Sequence, residues 1–278
     1  MLNEKKVLFL GAGSMAESLI GGFIREELLT SEQITVTNKS DESRLTELEN
    51  IYGVNTTDQV VEAVAAADII VLAMKPKHLQ DALPHLTNQI DNSKLVISVL
   101  AGVATSTIEA DLKDHVAVVR AMPNTSAKVA ASATALCQGT AAAKKDVDTA
   151  RLLFSAIGTV TCTTEDKMNA VTGVSGSGPA YFYAACEAME EAATEAGLSK
   201  EEARELIIQT MYGAAIRLEQ SDKTAGELYK EVMSPGGTTE AAFEVLKSKA
   251  FQQTLREAVL QAKQKADELG RPAPEPKL

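Results

Sequence analysis

The feature that most constrains this chain lies at its start. Val7-Leu8-Phe9-Leu10 is apolar at every position, as a strand covered on both faces should be. It runs directly into Gly11-Ala12-Gly13-Ser14-Met15-Ala16, and a helical pattern follows over Met15–Arg25. Strand, glycine turn and helix start in this order match a dinucleotide-binding fingerprint, in the variant with Ala at the third small position. Gly11 permits the turn. Gly13 keeps a Cβ out of the path of a pyrophosphate, and Ala16 lets the helix pack closely on the strand. The pyrophosphate then rests on backbone N–H groups at the positive end of the helix dipole. Lys5 and Lys6 ahead of the apolar run could imitate a short signal peptide. The run breaks at Gly11 and Glu17 follows, so the mature protein is expected to start here and to be cytoplasmic.

The rest of the first half repeats this alternation. Candidate strands are Gln33–Thr37, Ile69–Ala73, Leu95–Val99, Val116–Ala121, Ala133–Leu136 and Thr159–Cys162, with helical stretches such as Glu42–Glu49, Val60–Ala66 and Lys145–Ile157. The pattern predicts a doubly wound sheet with helices on both faces. After about Glu165 the strand signals stop. Helices are expected at Tyr181–Ala196, from the Ser199/Glu202 capping box to Glu219, and at Ala225–Met233, Thr239–Lys247 and Phe251–Leu269, the last stopped by Gly270 and a Pro-rich tail. Two domains follow: 1–164, dinucleotide-binding, and 165–278, helical. The Glu201–Glu219 segment carries apolar residues around more than one face, among them Leu206, Ile207, Ile208, Met211, Tyr212 and Leu218. Burial all round is expected, with a partner subunit as the cover.

Composition closes off several functions. Lys+Arg number 27 against 38 Asp+Glu, a net charge of −11, which argues against nucleic acid and anionic lipid as partners. No apolar run approaches the ~18 residues of a membrane span. Cys137, Cys162 and Cys186 lie far apart and read as buried, reduced thiols. His78, His85 and His115 have no metal-type spacing, so no metal site is expected.

Other segments follow strands and so face the same crevice. After the second strand comes Asn38-Lys39-Ser40, where an NAD site usually has an acid for the ribose 2′-hydroxyl. A carboxylate would repel a 2′-phosphate, whereas these residues attract one, so NADPH is the expected cofactor. Ala73-Met74-Lys75-Pro76 follows another strand, and Lys75 is either a solvated loop lysine or a nucleotide contact. The loops at Ala101 and at Met122-Pro123-Asn124 can present backbone groups to a nicotinamide. In the helical half, two glycine-rich stretches each precede a helix: Val171–Tyr181 and Met233–Glu240. Either could be a capped turn, but the density of Gly, Ser and Thr favours two helix starts that take an anion such as a substrate carboxylate.

The chain resembles the pyrroline-5-carboxylate reductases over nearly its full length. The resemblance rests on Gly11–Ala16, Asn38–Ser40, Ala73–Pro76 and Ala121–Asn124. Its most specific parts are Ser175-Gly176-Ser177-Gly178-Pro179-Ala180-Tyr181 and Ser234-Pro235-Gly236-Gly237-Thr238-Thr239. It implies reduction of 1-pyrroline-5-carboxylate to L-proline with NAD(P)H, the last step of proline biosynthesis. It also implies a Rossmann-type α/β domain followed by an all-α dimerisation domain, with homodimers that can assemble into decamers. On this footing Gly236, Gly237, Thr238 and Thr239 take the substrate carboxylate through backbone N–H groups. The Thr239 hydroxyl is the catalytic candidate, hydrogen-bonding the ring nitrogen. Ser177 and Gly178 line the other wall. Glu165 is either a substrate contact or a surface carboxylate at a domain hinge. Asn169 stands where the family often has Asp, and Glu240 where an apolar residue is common.

Three rival functions make different demands on these residues. A β-hydroxyacid dehydrogenase needs Lys with Asn three residues on, whereas Lys167 and Asn169 are two apart. A serine hydrolase needs Gly-x-Ser-x-Gly, and the fifth residue from Gly173 is Ser177. A non-enzymatic NADP-binding regulator would need the fingerprint but not the Ser-Pro-Gly-Gly-Thr-Thr loop.

Overall fold

The computed structural model describes residue 2, residues 4–112 and residues 115–270, without the side chains of residues 84–86. The Pro-rich tail and the His85 side chain therefore lie outside the described residues. The strands are β1 (Val7–Leu10), β2 (Ile34–Thr37), β3 (Asn55–Thr56), β4 (Ile69–Leu72), β5 (Leu95–Ser98), β6 (Ala117–Met122), β7 (Ser132–Gln138) and β8 (Gly158–Thr163). They form one sheet in the order β3-β2-β1-β4-β5-β6-β7-β8. The pairings among β1 to β6 are all parallel. β7 returns antiparallel to β6, and β8 runs parallel to β7.

Strand alternation explains the layers. Val7 and Phe9 join one apolar cluster with Leu19, Ile20 and Phe23 of α1 (Ser14–Arg25), Leu45 and Leu48 of α2 (Glu42–Tyr52), and a later helix. Leu8 and Leu10 point the other way. They join Val64 of α3 (Val60–Ala66), Leu79 and Leu83 of α4 (Leu79–Leu86) and Ile108 of α5 (Thr105–Asp111). Leu153 and Phe154 of α6 (Lys144–Ser155) complete the first cluster. The sheet is thus covered on both faces, which is why β1, β4, β5 and β6 are buried at every position.

Helices follow: α7 (Met168–Val171), α8 (Gly178–Glu195), α9 (Lys200–Glu219), α10 (Ala225–Val232), α11 (Thr238–Ser248) and α12 (Phe251–Leu269). Of the described residues, those within Met1–Pro179 and Leu260–Leu278 form one compact unit, and Ala180–Val259 form a second. The α9 cap forms as read: Ser199 Oγ accepts from the Glu202 N–H, and the Glu202 carboxylate accepts from the Ser199 N–H at 2.8 Å. Among the described residues, no helix is long and apolar enough to cross a membrane.

Within one chain, α9 buries only Ala203 and Ile207, while Leu206, Ile208 and Tyr212 are each more than half exposed. The described residues of one chain do not cover this helix, in keeping with the expected partner cover. Two expectations change. The cysteines are not uniformly buried. Cys137 is buried, but Cys162 is exposed because it lies on β8, the last strand of the sheet, and Cys186 is in between. Finally, the first glycine-rich stretch is not an open helix start. Thr172–Gly176 is a single π-helical turn joining α7 to α8, and the Ser177 N–H donates to the Thr172 carbonyl at 2.9 Å. The hydroxyls of Thr172 and Ser175 bond back to the Met168 and Val171 carbonyls, keeping the chain on a helical path.

Candidate active site

In a parallel sheet every strand ends on the same edge. The chain leaves β1 into Gly11, β2 into Asn38, β4 into Ala73, β5 towards Ala101 and β6 into Pro123. The segments Gly11–Ala16, Asn38–Ser40, Ala73–Pro76, Ala101 and Met122–Asn124 are therefore brought to one edge. The winding reverses between β1 and β4, which opens the crevice where open α/β sheets take ligands.

The glycine turn is built into that edge. The Gly11 N–H donates to the Thr37 carbonyl at 3.0 Å, and the Ala73 N–H donates to the Leu10 carbonyl at 2.9 Å. Gly11 has φ of +114°, and a Cβ there would lie 2.7 Å from the Ala73 carbonyl group and the Met74 nitrogen. Only glycine fits. Gly13 is the N-cap of α1, and a Cβ there would meet nothing within 4 Å. The glycine leaves an open approach to the first N–H groups of α1, the geometry a dinucleotide pyrophosphate requires. Ala16 is fully buried beneath it. Asn38 is half-buried, whereas Lys39, Ser40 and Lys75 are exposed.

Asn124 ties two segments together at this edge. Its N–H donates to Ser132 Oγ, its Oδ1 accepts from the Ser126 N–H, and its Nδ2 donates to the Ser175 carbonyl, each at 3.0 Å. The end of β6 and the π turn are thereby held together.

Glu165 is not a solvated surface carboxylate. It pairs with Arg120, a guanidinium only 1% exposed inside β6. It also accepts from the Thr105 N–H at 3.2 Å and the Thr105 hydroxyl at 3.1 Å. Arg120 reaches the Asn169 Oδ1 at 3.0 Å; the Asn169 amide donates to Asp267 at 2.8 Å, and Lys263 donates to Asp267 at 2.8 Å. Cys137 Sγ lies 3.6 Å from Glu165. Burial, and then the Glu165 charge, push its thiol up from an ordinary 9.0 to about 12.

In the second unit, Gly237 is the N-cap of α11 and supplies no side chain, so Thr238 and Thr239 are its first two residues. Gly236 has φ of +71°. Its N–H is already taken: the Glu240 carboxylate accepts it at 2.7 Å. The anion cradle read in this loop is therefore reduced to the N–H groups of the first helical turn, which have no intrahelical acceptor.

Sequence reasoning missed Arg120 and Arg44. Arg120 looked like one charged residue inside an apolar run, and its partner lies 45 positions away. Nothing local marks Arg44, which donates to the Ala12 carbonyl at 2.9 Å from 32 positions away.

A run of parallel strands with a glycine turn opening onto a helix start at its reversal point defines a dinucleotide-binding domain. Residues 6–102 match the family model described as NADP oxidoreductase coenzyme F420-dependent, and residues 165–269 match that for pyrroline-5-carboxylate reductase dimerisation. The chain is 42% identical to pyrroline-5-carboxylate reductase 2 of Bacillus subtilis, over 95% of each chain. It is 36% identical to the pyrroline-5-carboxylate reductase of Methanosarcina acetivorans, over 97% of this chain and 100% of that one. Among solved structures, the pyrroline-5-carboxylate reductase of Coxiella burnetii superposes with a TM-score of 0.85 at 35% identity, covering 97% of this chain and 100% of that one. The Plasmodium falciparum pyrroline carboxylate reductase, solved with NADP bound, gives a TM-score of 0.89 at 27% identity, covering 97% and 99%. The chain belongs to the pyrroline-5-carboxylate reductase family.

Proposed function

We propose that this chain reduces 1-pyrroline-5-carboxylate to L-proline with NADPH, using NADH as a second cofactor, as the final step of proline biosynthesis in the cytoplasm. The observation that carries the reading is the Gly11–Gly13 turn, open at Gly13 and set on the α1 start, in a chain that matches a member of this family over 95% of each length. When bound, the cofactor supplies a hydride to the C=N bond.

The chain's own residues bind and orient. The backbone of Gly11, Ala12, Gly13 and Ser14 is assigned to the pyrophosphate, with Met15 and Ala16 completing the turn into α1. Asn38, Lys39 and Ser40 are assigned to the 2′-phosphate, since a cation and two neutral hydrogen-bonding groups replace the acid that would repel it. Ala73–Pro76, Ala101 and Met122–Pro123 line the cofactor with backbone and apolar groups, and Asn124 holds that wall in place. The N–H groups of Thr238 and Thr239 are assigned to the substrate carboxylate, with Gly236 and Gly237 shaping the turn before them. The Thr239 hydroxyl is assigned to the ring nitrogen, where it holds the proton of the iminium. Ser177 and Gly178 form a further part of the substrate wall. Glu165 supports that wall through Arg120, because its carboxylate is committed to protein donors.

The helices of residues 165–269 are proposed to associate as a homodimer, with assembly of dimers up to a decamer. The exposed apolar residues of α9 support this.

Purified protein mixed with 1-pyrroline-5-carboxylate and NADPH should lose reduced-cofactor absorbance and form proline. Thr239→Ala should lower turnover roughly tenfold or more while NADPH binding is retained. No substrate-dependent oxidation of either cofactor would overturn the proposal.

A further inference from the structure

The start of α1 carries an internal conflict. Glu17 sits in the first turn of this helix. A carboxylate there stabilises the helix dipole, but it also adds negative charge at the end that must receive a pyrophosphate. The helix that gains from Glu17 would therefore bind a dianion less well.

Arg44 resolves the conflict geometrically. It projects from the start of α2, a helix capped by the Asp41 carboxylate, which accepts the Arg44 N–H at 3.0 Å. Its Nη2 pairs with Glu17 at 2.5 Å, its Nη1 with Glu47 at 2.6 Å, and its Nε donates to the Ala12 carbonyl at 2.9 Å. The side chains of Arg44 and Glu17 are each only about one-fifth exposed, at 19% and 21%. The Tyr52 hydroxyl also approaches Glu17, at 3.4 Å. One guanidinium thus holds a carbonyl of the glycine turn and neutralises the carboxylate one helical turn below. Each of its three nitrogens has a protein acceptor, which holds the guanidinium against the glycine turn and Glu17.

We infer that Arg44 is a positioning residue for the cofactor, acting on the pyrophosphate through Ala12 and Glu17 and indifferent to whether the ribose carries a 2′-phosphate. The inference rests on the cofactor assignment made above. It separates Arg44 from Asn38-Lys39-Ser40 on the same side of the site. Those residues should set the choice between NADPH and NADH, whereas Arg44 should set the affinity for both.

The test uses the full chain. It contains no Trp, so the fluorescence gain of NADPH or NADH on binding can be titrated without indole background. Arg44→Gln should raise Kd for NADPH and NADH by the same factor, roughly fivefold, and raise cofactor KM while kcat at saturation holds. Arg44→Lys should recover part of the loss, because it restores the charge but not the forked geometry. Glu17→Gln, made alone, should leave both Kd values unchanged or lower, and combined with Arg44→Gln it should reverse most of that variant's loss. Glu17→Gln keeps the inference testable even if Arg44→Gln fails to fold. A loss confined to NADPH would mean that Arg44 reads the 2′-phosphate, and weaker binding in Glu17→Gln would mean that Glu17 itself serves the cofactor. Either result overturns the inference. So does wild-type binding in Arg44→Gln. Failure of the wild type to bind either cofactor would instead overturn the cofactor assignment.

Discussion

Glu165→Gln is the substitution whose cost follows most directly from the structure. Arg120 is 1% exposed, and Glu165 is the carboxylate paired with it. Arg120 also donates to the neutral Asn169 Oδ1 at 3.0 Å. A glutamine in place of Glu165 would keep the shape but remove the compensating charge. Its single carbonyl could not serve Arg120 and both Thr105 donors, and its NH2 group would face one of them. Breaking a buried ion pair from one side costs about 3–5 kcal/mol. Because 31% of the Glu165 side chain reaches solvent, water recovers part of this, and about 3 kcal/mol is expected. With a urea m value of ~3 kcal/mol/M, the unfolding midpoint should fall by roughly 1 M. Far-UV circular dichroism is the suitable probe, since the chain lacks Trp. Arg120→Met combined with Glu165→Gln should recover most of the loss, because no charge then remains buried. A single variant within about 0.5 kcal/mol of wild type, the range of an ordinary surface substitution, would refute this account of the pair. So would a double variant no better than the single.

Thiol labelling gives a second check. A thiol with its pKa raised to about 12 stays protonated at neutral and mildly alkaline pH, so Cys137 should resist alkylation through about pH 10 while exposed Cys162 reacts. Equal rates at about pH 8, mapped by mass spectrometry, would contradict this. For cofactor choice, Asn38→Asp with Lys39→Ala should shift the kcat/KM ratio from NADPH towards NADH; an unmoved ratio means this turn does not read the 2′-phosphate. Ile208→Asp with Met211→Asp should abolish self-association or folding by placing charges on the apolar face of α9. Sedimentation of an unaltered, fully active oligomer would exclude that face as the interface.

Much of the fold is legible because it is written in local pattern. Val7–Leu10 and Ile69–Leu72 are uniformly apolar, and the Ser199/Glu202 cap announces its helix. β3 escapes a reading of pattern because Asn55-Thr56 is two polar residues whose strand form comes from pairing with Thr35 and Val36. α5 escapes it because Thr105–Asp111 buries only Thr105 and Ile108. The candidate site divides the same way. The glycine turn can be read because its function dictates residue type at fixed spacing. The Arg120–Glu165–Asn169–Asp267 network cannot, since each principal link joins elements that nothing local marks as partners. The π turn is hidden for a different reason. Glycine and serine usually signal a break, and here the Thr172 and Ser175 hydroxyls bond back along the helix instead.

The return of α12 to the first unit also bears on how the chain matures. Residues 260–270 belong with the nucleotide-side unit although Ala180–Val259 intervene. The Asn169–Asp267 bond closes a span of 98 positions. During synthesis the sheet can form early from local strand–helix units, but the α12 partners of Asn169 and Gly102 emerge only after Ala180–Val259. Closing so long a loop is entropically slow compared with local contacts. The nascent chain therefore passes through a stage with an assembled sheet whose β5 loop lacks its α12 neighbour. In the finished chain the backbone at Ala266 lies so close that a Cβ on Gly102 would come within 2.6 Å of its carbonyl. Cofactor affinity measured on stalled chains should rise only once residues up to 270 have left the ribosome, making α12 the step that completes the first unit.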